Sequence, residues 1–402
     1  MSRKVVLTWE LGGGLGHAAR LVAVSEALAR RGFEPVLVAR RPDSLEVLGF
    51  GATERDALKA PVWPGLIPGA LPPVHGRQAS LGDSLGDLGL TDASTIASLI
   101  GEWDRIFASV KPIALVADFA PASLLAATGR IPSVAIGSGY ALPPATVPEF
   151  PLLRPDVSAR KYQERVLLEA VNRALVASGR QELDRLPQIF AADRQCVACF
   201  EETDPYATLR DRPNLAPFLP PWSRAGADRG EEIFVYLPEH VASNPAVAIA
   251  IAQVVGAGKV VRIFVPDLDA AIAGRFVSAG ALLETAPVPL DDLARRTSLV
   301  VYHGSLGIAS FALAAGIPQI VIAHDTEKRL VGQAIERLGA GHSVALSSHS
   351  PLEGALLAQF VLETAADETL RTAVRSIAPE FVRRLGKAPA EEVAEEVAGL
   401  VG

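Results

Sequence analysis

Residues 9–20 read WELGGGLGHAAR. An apolar run, KVVLTWE, leads into the stretch, and an amphipathic one, RLVAVSEALARRG, leads out of it. Gly12, Gly13 and Gly14, then Gly16 and His17, therefore stand where a buried strand turns into a helix. Glycines at such a corner let the backbone turn sharply or approach something closely. A histidine at a helix mouth meets the positive end of the helix, which favours the neutral, proton-accepting imidazole. A base of that kind needs an orienting acid. Asp118 ends the strand-like IALVAD and would lie on the same carboxyl rim if both strands share a parallel sheet. It also has a plainer reading, as the cap of the following FAPASLL helix.

The surrounding pattern supports such a sheet. Leu21, Val24 and Leu28 recur at helical spacing, predicting a helix from about Ala18 to Arg31 that Gly32 stops. EPVLVAR reads as a strand, WDRIFASVKP as a helix, IALVADF as a strand, PASLLAATGR as a helix and IPSVAIGSG as a strand. Residues 210–232, RDRPNLAPFLPPWSRAGADRGEE, have the proline, glycine and charge of a linker. Alternation then restarts, with IFVYLP, KVVRIFV, SLVVYHGS and PQIVIAH as strands. The fold class predicted is α/β, with two doubly wound, Rossmann-like domains facing each other across a cleft. The expected division is an N-terminal domain over 1–210, a linker over 211–230 and a C-terminal domain over 231–385. An acidic last helix over 386–402 is expected to pack back on the first domain. Ligands of such sheets sit at the carboxyl ends of the strands, where both His17 and His303 fall.

Composition narrows the partners. The 402 residues are 49% hydrophobic and 21% charged, as in folded proteins. A net charge of −7 argues against a nucleic-acid binder. No apolar run approaches the ~18 residues of a membrane span, and MSRKVVLTWELGGG lacks a signal-like apolar core. A cytoplasmic protein without an integral membrane segment is expected. The two cysteines, Cys196 and Cys199, form a lone C-x-x-C in strand-like QCVACF, more consistent with buried small residues than with zinc or redox chemistry.

The same glycines also admit nucleotide-binding readings. Gly12-x-Gly14 opens a dinucleotide fingerprint, but His17 takes the place of its third glycine. Arg40 and Arg41 stand where an acidic residue would hold NAD, leaving an NADP reading. No Gly-Lys-Ser/Thr follows, so a Walker loop is excluded. LVVYHGSLGIASFALAAG, residues 299–316, repeats the design of the first corner, and N–H groups from Gly304 to Ile308 would offer a phosphate pocket, with His303 and Ser305 as side-chain donors. Asp267-x-Asp269 reads as helix-start residues, and no metal is assigned. The proline-rich residues 59–76 suit a binding wall, with Trp63, Leu66, Ile67 and Leu71 facing an apolar ligand.

Taken together, these motifs resemble the two-domain, GT-B-fold glycosyltransferases that use nucleotide-diphosphate sugars, especially bacterial natural-product members of the family-one, UDP-glycosyltransferase type. The likeness is most specific from Pro287 to Gly341. VPLDDLARRTSLVVYHGSLGI keeps the family's fourteen-residue spacing from Pro289 to His303. AAGIPQIVI and EKRLVGQAIERLGAG continue in register. The resemblance implies that Val288 lies beside the base through its backbone. It implies that His303, Gly304, Ser305, Gly307 and Ile308 wrap the diphosphate, and that Glu327 and Lys328 face the sugar. His17 maps onto the general base and Asp118 onto the acid that steadies it. Gly13, Gly14, Trp63, Leu66 and His75 would border an apolar small-molecule acceptor.

The implied function is inverting sugar transfer from a UDP- or dTDP-type donor, with no metal and no cofactor besides the co-substrate. Four positions depart from the family pattern: Ser305 for glycine, Ile308 for a hydroxyl, Lys328 for glutamine and Val331 for asparagine. VYLPEH also lacks the Gly-Ser pair usual after its strand. These departures support a rival, a non-catalytic relative that binds a nucleotide or ligand. An NADP-dependent oxidoreductase is the second rival.

Overall fold

A computed structural model of the chain describes residues 3–46, 57–72, 74–154, 156–157, 159–222, 230–347 and 349–402. The chain divides into two units, Met1–Phe218 with Lys387–Gly402, and Leu219–Gly386.

The first unit is built on six parallel strands: β1 (Lys4–Trp9), β2 (Glu34–Ala39), β3 (Leu58–Lys59), β4 (Ala114–Asp118), β5 (Ser133–Gly137) and β6 (Arg194–Val197). Their order across the sheet is β3-β2-β1-β4-β5-β6. Val5, Val6, Leu7 and Trp9 are all fully buried, so alternate side chains of β1 are covered on both faces, as a continuous apolar run requires. The last helix, Pro389–Val401, belongs to this unit. Its Val393, Ala394 and Val397 join the core that includes Leu21, Val24 and Leu28 of the first helix. Ion pairs from Arg30 and Arg31 to Glu391 and Glu395 fringe the contact. Exposed pairs of this sort contribute little, so the buried valines carry the attachment.

The second unit holds β7 (Glu232–Tyr236), β8 (Val261–Phe264), β9 (Leu282–Glu284), β10 (Thr297–Tyr302), β11 (Gln319–Ile322) and β12 (Gly341–Val344), also all parallel. Their order, β12-β11-β10-β7-β8-β9, is that of the first unit counted from its own first strand. In each sheet the winding reverses beside the first strand, between β1 and β4 and between β7 and β10. The crevice at the carboxyl ends of those pairs is where such folds bind ligands.

Local differences from the sequence pattern have local causes. The first helix spans Leu15–Arg30, starting at Gly14, whose φ of 85° only glycine adopts freely. His17 therefore lies inside its first turn. The helix read in WDRIFASVKP is longer, Ala93–Val110, because Asp92 caps it by accepting from Ser94 and Thr95 N–H. SLGDSLGD contains a short helix, Leu81–Leu85, opened by a Ser80–Asp83 capping box. Asp269 caps the helix Ala270–Ser278. Cys196 and Cys199 are free and buried, and burial pushes both thiols up to about 12. Among the described residues no helix is long and apolar enough to cross a membrane.

Candidate functional site

At the β1/β4 switch point the sequence brings three polar side chains together. His17 Nδ1 is 3.0 Å from Asp118 Oδ2, and Arg20 Nη1 donates to Asp118 Oδ1 at 2.6 Å. Asp118 is fully buried, while the side chains of His17 and Arg20 are 13% and 11% exposed. A carboxylate can only accept here, so Nδ1 carries the ring proton and Nε2 is left with its lone pair. The imidazole is clamped between Trp9, at 5.3 Å between centroids and 7° between planes, and Phe119 at 6.4 Å and 22°. Phe119 has a φ of 46°, a conformation costly for an aromatic residue, and its carbonyl accepts from Leu11 N–H at 3.1 Å. The strain sits at the corner that aims Asp118.

Gly12 explains why the loop must be glycine. Its φ is 81°, and a Cβ there would stand 2.5 Å from His17 Nε2, the nitrogen that must be free to take a proton. Arg40 donates to the Gly12 carbonyl and fixes the loop from behind. That guanidinium is thus committed to the backbone, and Arg41 pairs with Asp43. The two arginines proposed for an NADP phosphate are structural partners instead.

Two residues of this site escaped the sequence reading. Arg20 follows His17 by one helical turn, an i, i+3 spacing that places both on one face. Glu10 offered no such signal. It is buried to 1% exposure directly after β1, accepting from Ala122 N–H (3.1 Å) and Ser123 N–H (2.7 Å) at the start of the helix Pro121–Ala127. That helix has no cap of its own. The plain reading of Asp118 as its cap therefore fails, because Glu10 does that work and Asp118 bonds His17. Burial pushes the Glu10 carboxyl up to about 7, against the pull of its hydrogen bonds from Trp63 and the two backbone amides.

The third donor to Glu10 is Trp63 Nε1, at 2.9 Å. Trp63 is fully buried. Its expected place on an apolar acceptor wall is corrected: a buried indole needs a partner for its N–H, and it found one in the core. Leu66 is half-buried and His75 exposed, and Ile67 and Val74 present apolar surface at 50% and 49% exposure. Gly13 and Gly14 are exposed beside His17 in sequence.

The second unit has its own rim at β7/β10. His303 follows β10, with Nδ1 3.4 Å and backbone N–H 3.3 Å from the Tyr236 carbonyl. Burial, reinforced by the Lys328 charge, lowers its pKa to about 3, so the ring is neutral. Gly304 has a φ of 92°, and its missing Cβ would lie 3.1 Å from the Lys328 backbone. Glycine thus seats the turn against the helix Thr326–Arg337. Ser305 caps the helix Leu306–Ala315 in position only: its Oγ is buried and without a hydrogen-bond partner. The N–H groups of Leu306, Gly307 and Ile308 precede the first bond within the helix, Ala309 N–H to the Ser305 carbonyl at 3.0 Å. Free amides, the helix dipole and an orphaned hydroxyl are groups suited to an anion.

Lys328 Nζ bonds Glu327 Oε2 at 2.6 Å, and its N–H bonds Asp325 Oδ1 at 2.8 Å. Burial opposes its charge, but Glu327 and Asp325 outweigh that and raise its pKa. Val288 is half-buried just before the helix Leu290–Arg296. Among the described residues no group of three or more His, Cys, Asp or Glu is placed to hold a metal ion.

The chain resembles known proteins in part of its sequence and in its fold. Residues 280–400 match the family described as erythromycin biosynthesis protein CIII-like, C-terminal domain. The chain is 34% identical over 125 residues to tylactone mycaminosyltransferase from Streptomyces fradiae, covering 29% of this chain and 27% of that protein. The matched part thus spans about a quarter of that relative's length. Across its full length the chain superposes on the crystal structure of CalG4, the calicheamicin glycosyltransferase, with a TM-score of 0.69, 20% identity and coverage of 100% and 98%. The spinosyn rhamnosyltransferase SpnG, solved with thymidine diphosphate, gives 0.60, 17% identity and coverage of 98% and 99%. In fold throughout, and in sequence over residues 280–400, the chain resembles the bacterial natural-product glycosyltransferases of the EryCIII-like kind.

Proposed function

We propose that this chain transfers a sugar from a nucleotide-diphosphate donor of the UDP or dTDP type to a natural-product acceptor, with inversion at the anomeric carbon and without a metal. The observation that carries the reading is the hydrogen-bonded His17–Asp118 pair, with Nε2 left as the proton acceptor. His17 Nε2 takes the proton of the acceptor's nucleophile as it attacks, and Asp118 stabilises the imidazolium that forms. Arg20 holds the other oxygen of Asp118 and so keeps the carboxylate turned toward the ring. In the second unit the cradle from Ser305 to Ile308 takes the negative charge that grows on the departing diphosphate.

The glycosyltransferase names of the relatives support the reaction class, and the thymidine diphosphate of the spinosyn enzyme supports the donor class. A non-catalytic binding protein would have no use for a buried carboxylate oriented on an imidazole. The exposed Ile67 and Val74 of the proline-rich loop fit an apolar acceptor.

The test is mass spectrometry of the purified protein incubated with a panel of UDP- and dTDP-sugars and an extract of its host. An acceptor heavier by one sugar residue, formed with release of nucleotide diphosphate, is expected. Intact donors throughout, together with thermal stabilisation by NADP and not by UDP or dTDP, would overturn the assignment.

A further inference from the structure

The switch-point rim of the second unit carries two imidazoles beyond the one expected there. His240, at the start of the short helix Glu239–Ala242 after β7, lies edge-on to His324, with ring centroids 4.6 Å apart. His324, just after β11, lies 6.1 Å from His303. Three imidazoles from three different strand ends therefore form a chain that ends two residues from the orphaned Ser305 hydroxyl. His240 and His324 are both at the surface, whereas His303 is largely buried and bonded to a carbonyl.

The charges around this chain are poorly matched to a diphosphate as they stand. Against His324 lie Asp325, with Oδ2 at 3.3 Å from Nε2, together with Glu327, Lys328 and His240. Around His303 lie Tyr236, Lys328 and the other two imidazoles. Glu239 is the charged neighbour of His240 on its own helix. Lys328 is the cation of the set acting on His324, and it is already bonded to Glu327. One cation facing two carboxylates would repel a multiply charged phosphate unless positive charge were added. Burial, with the His240 and Lys328 charges behind it, holds the His324 pKa below its usual value, so the ring is the side chain that gains its charge only when an arriving phosphate draws a proton onto it.

We infer that the His240–His324 pair grips the donor's diphosphate and takes up a proton as it binds. This deepens, and rests on, the donor-binding reading above. Neutral imidazole already donates one hydrogen bond, and the protonated ring donates two and contributes a charge-assisted contact. The pair also supplies polar contacts on a rim where Ile308 offers no hydroxyl and where VYLPEH has no Gly-Ser pair. His303, held neutral, is left to position the turn through Tyr236.

Calorimetric titration of the full-length protein with UDP and with dTDP tests this. Titrations run at pH 6.5 and 8 in buffers of differing ionisation enthalpy, on the wild type and on a His240→Gln/His324→Gln variant. The wild type is expected to take up more protons per nucleotide bound than the variant. Its affinity should rise roughly three- to tenfold relative to the variant's between pH 8 and 6.5. The protonation of the nucleotide itself is common to both proteins and cancels in the comparison. Both substituted side chains are at the surface, so unchanged thermal unfolding is the control for folding.

A variant that binds with wild-type affinity and proton uptake at both pH values would overturn the inference while leaving the donor reading standing. Failure of the wild type to bind either nucleotide at either pH would overturn the donor reading, and this inference with it.

Discussion

The two units wind their sheets in the same order, yet their switch points are furnished in opposite ways. At β1/β4 the key side chains are bonded to one another: Asp118 accepts from His17 Nδ1 and Arg20 Nη1, and Glu10 accepts from Trp63 and two backbone amides. At β7/β10 the Ser305 hydroxyl is buried without a partner, three amides open a helix, and two surface imidazoles stand beside a lysine ion-paired with Glu327. A network of mutually bonded side chains holds a base in one pose before anything arrives. An unsatisfied one awaits a ligand that completes it. On the function proposed above, the shared topology fixes where each step falls, and the hydrogen-bond accounts decide what kind it is.

The contrast is broken most severely by Gly12→Ala. The new methyl would stand against His17 Nε2 and would also force alanine into a φ of 81°. Turnover should fall by roughly 10²–10⁴-fold, the range for a lost general base, while nucleotide affinity in the second unit is unchanged. Steady-state rates beside nucleotide titrations check both halves, and near-normal turnover would mean that Nε2 does not need open space.

Next in size is Glu10→Gln. The native carboxyl is raised from 4.5 to about 7, so between those values the folded state binds more protons than the unfolded state. Stability contributed at Glu10 therefore increases as pH falls from about 7 toward 4.5 and is lost as pH rises through about 7. Glutamine cannot titrate and also sets an NH₂ against a ring of donors. Denaturant unfolding at pH 8 and pH 5 should show the wild type gaining on the variant at the lower pH, by at most about 3 kcal/mol. Parallel behaviour of the two proteins would contradict a titrating clasp at Glu10.

The smallest expected effect is at Ser305→Ala. If the orphaned hydroxyl waits for phosphate, alanine weakens nucleotide-diphosphate binding about tenfold yet leaves the unliganded protein equally or more stable, since a buried unbonded group has been removed. Weaker stability with unchanged binding would make Ser305 a structural residue of the turn.

Much of this site could be read from sequence because it follows from sheet topology. His17 and Asp118 are far apart in the chain, but Asp118 ends β4 and His17 opens the helix that follows β1, and the parallel pairing of β1 with β4 brings both to one rim. His303 and Gly304 follow from the same logic. Arg20 was missed, although its i, i+3 spacing from His17 is the signal that could have found it. Glu10 was not, since a lone glutamate after a strand resembles any solvated residue until Trp63 and the helix Pro121–Ala127 close over it. Trp63 misled for the converse reason: a proline-rich setting suggests a surface wall, and only tertiary contacts reveal that the indole N–H is spent on a buried carboxylate. The short strands β3, β9 and β12 left too few residues to show a period. His240 and His324 lay in stretches whose polarity is ordinary for loops, and their pairing depends on strand order.

The most direct measurement is His17→Ala, with turnover and nucleotide affinity determined on the same preparation. Assignment of the base to the first unit and of the donor to the second requires turnover to drop by roughly 10²–10⁴-fold while UDP or dTDP binds as tightly as before. Wild-type-like turnover, or a loss of nucleotide binding that parallels the loss of activity, would contradict that division of labour.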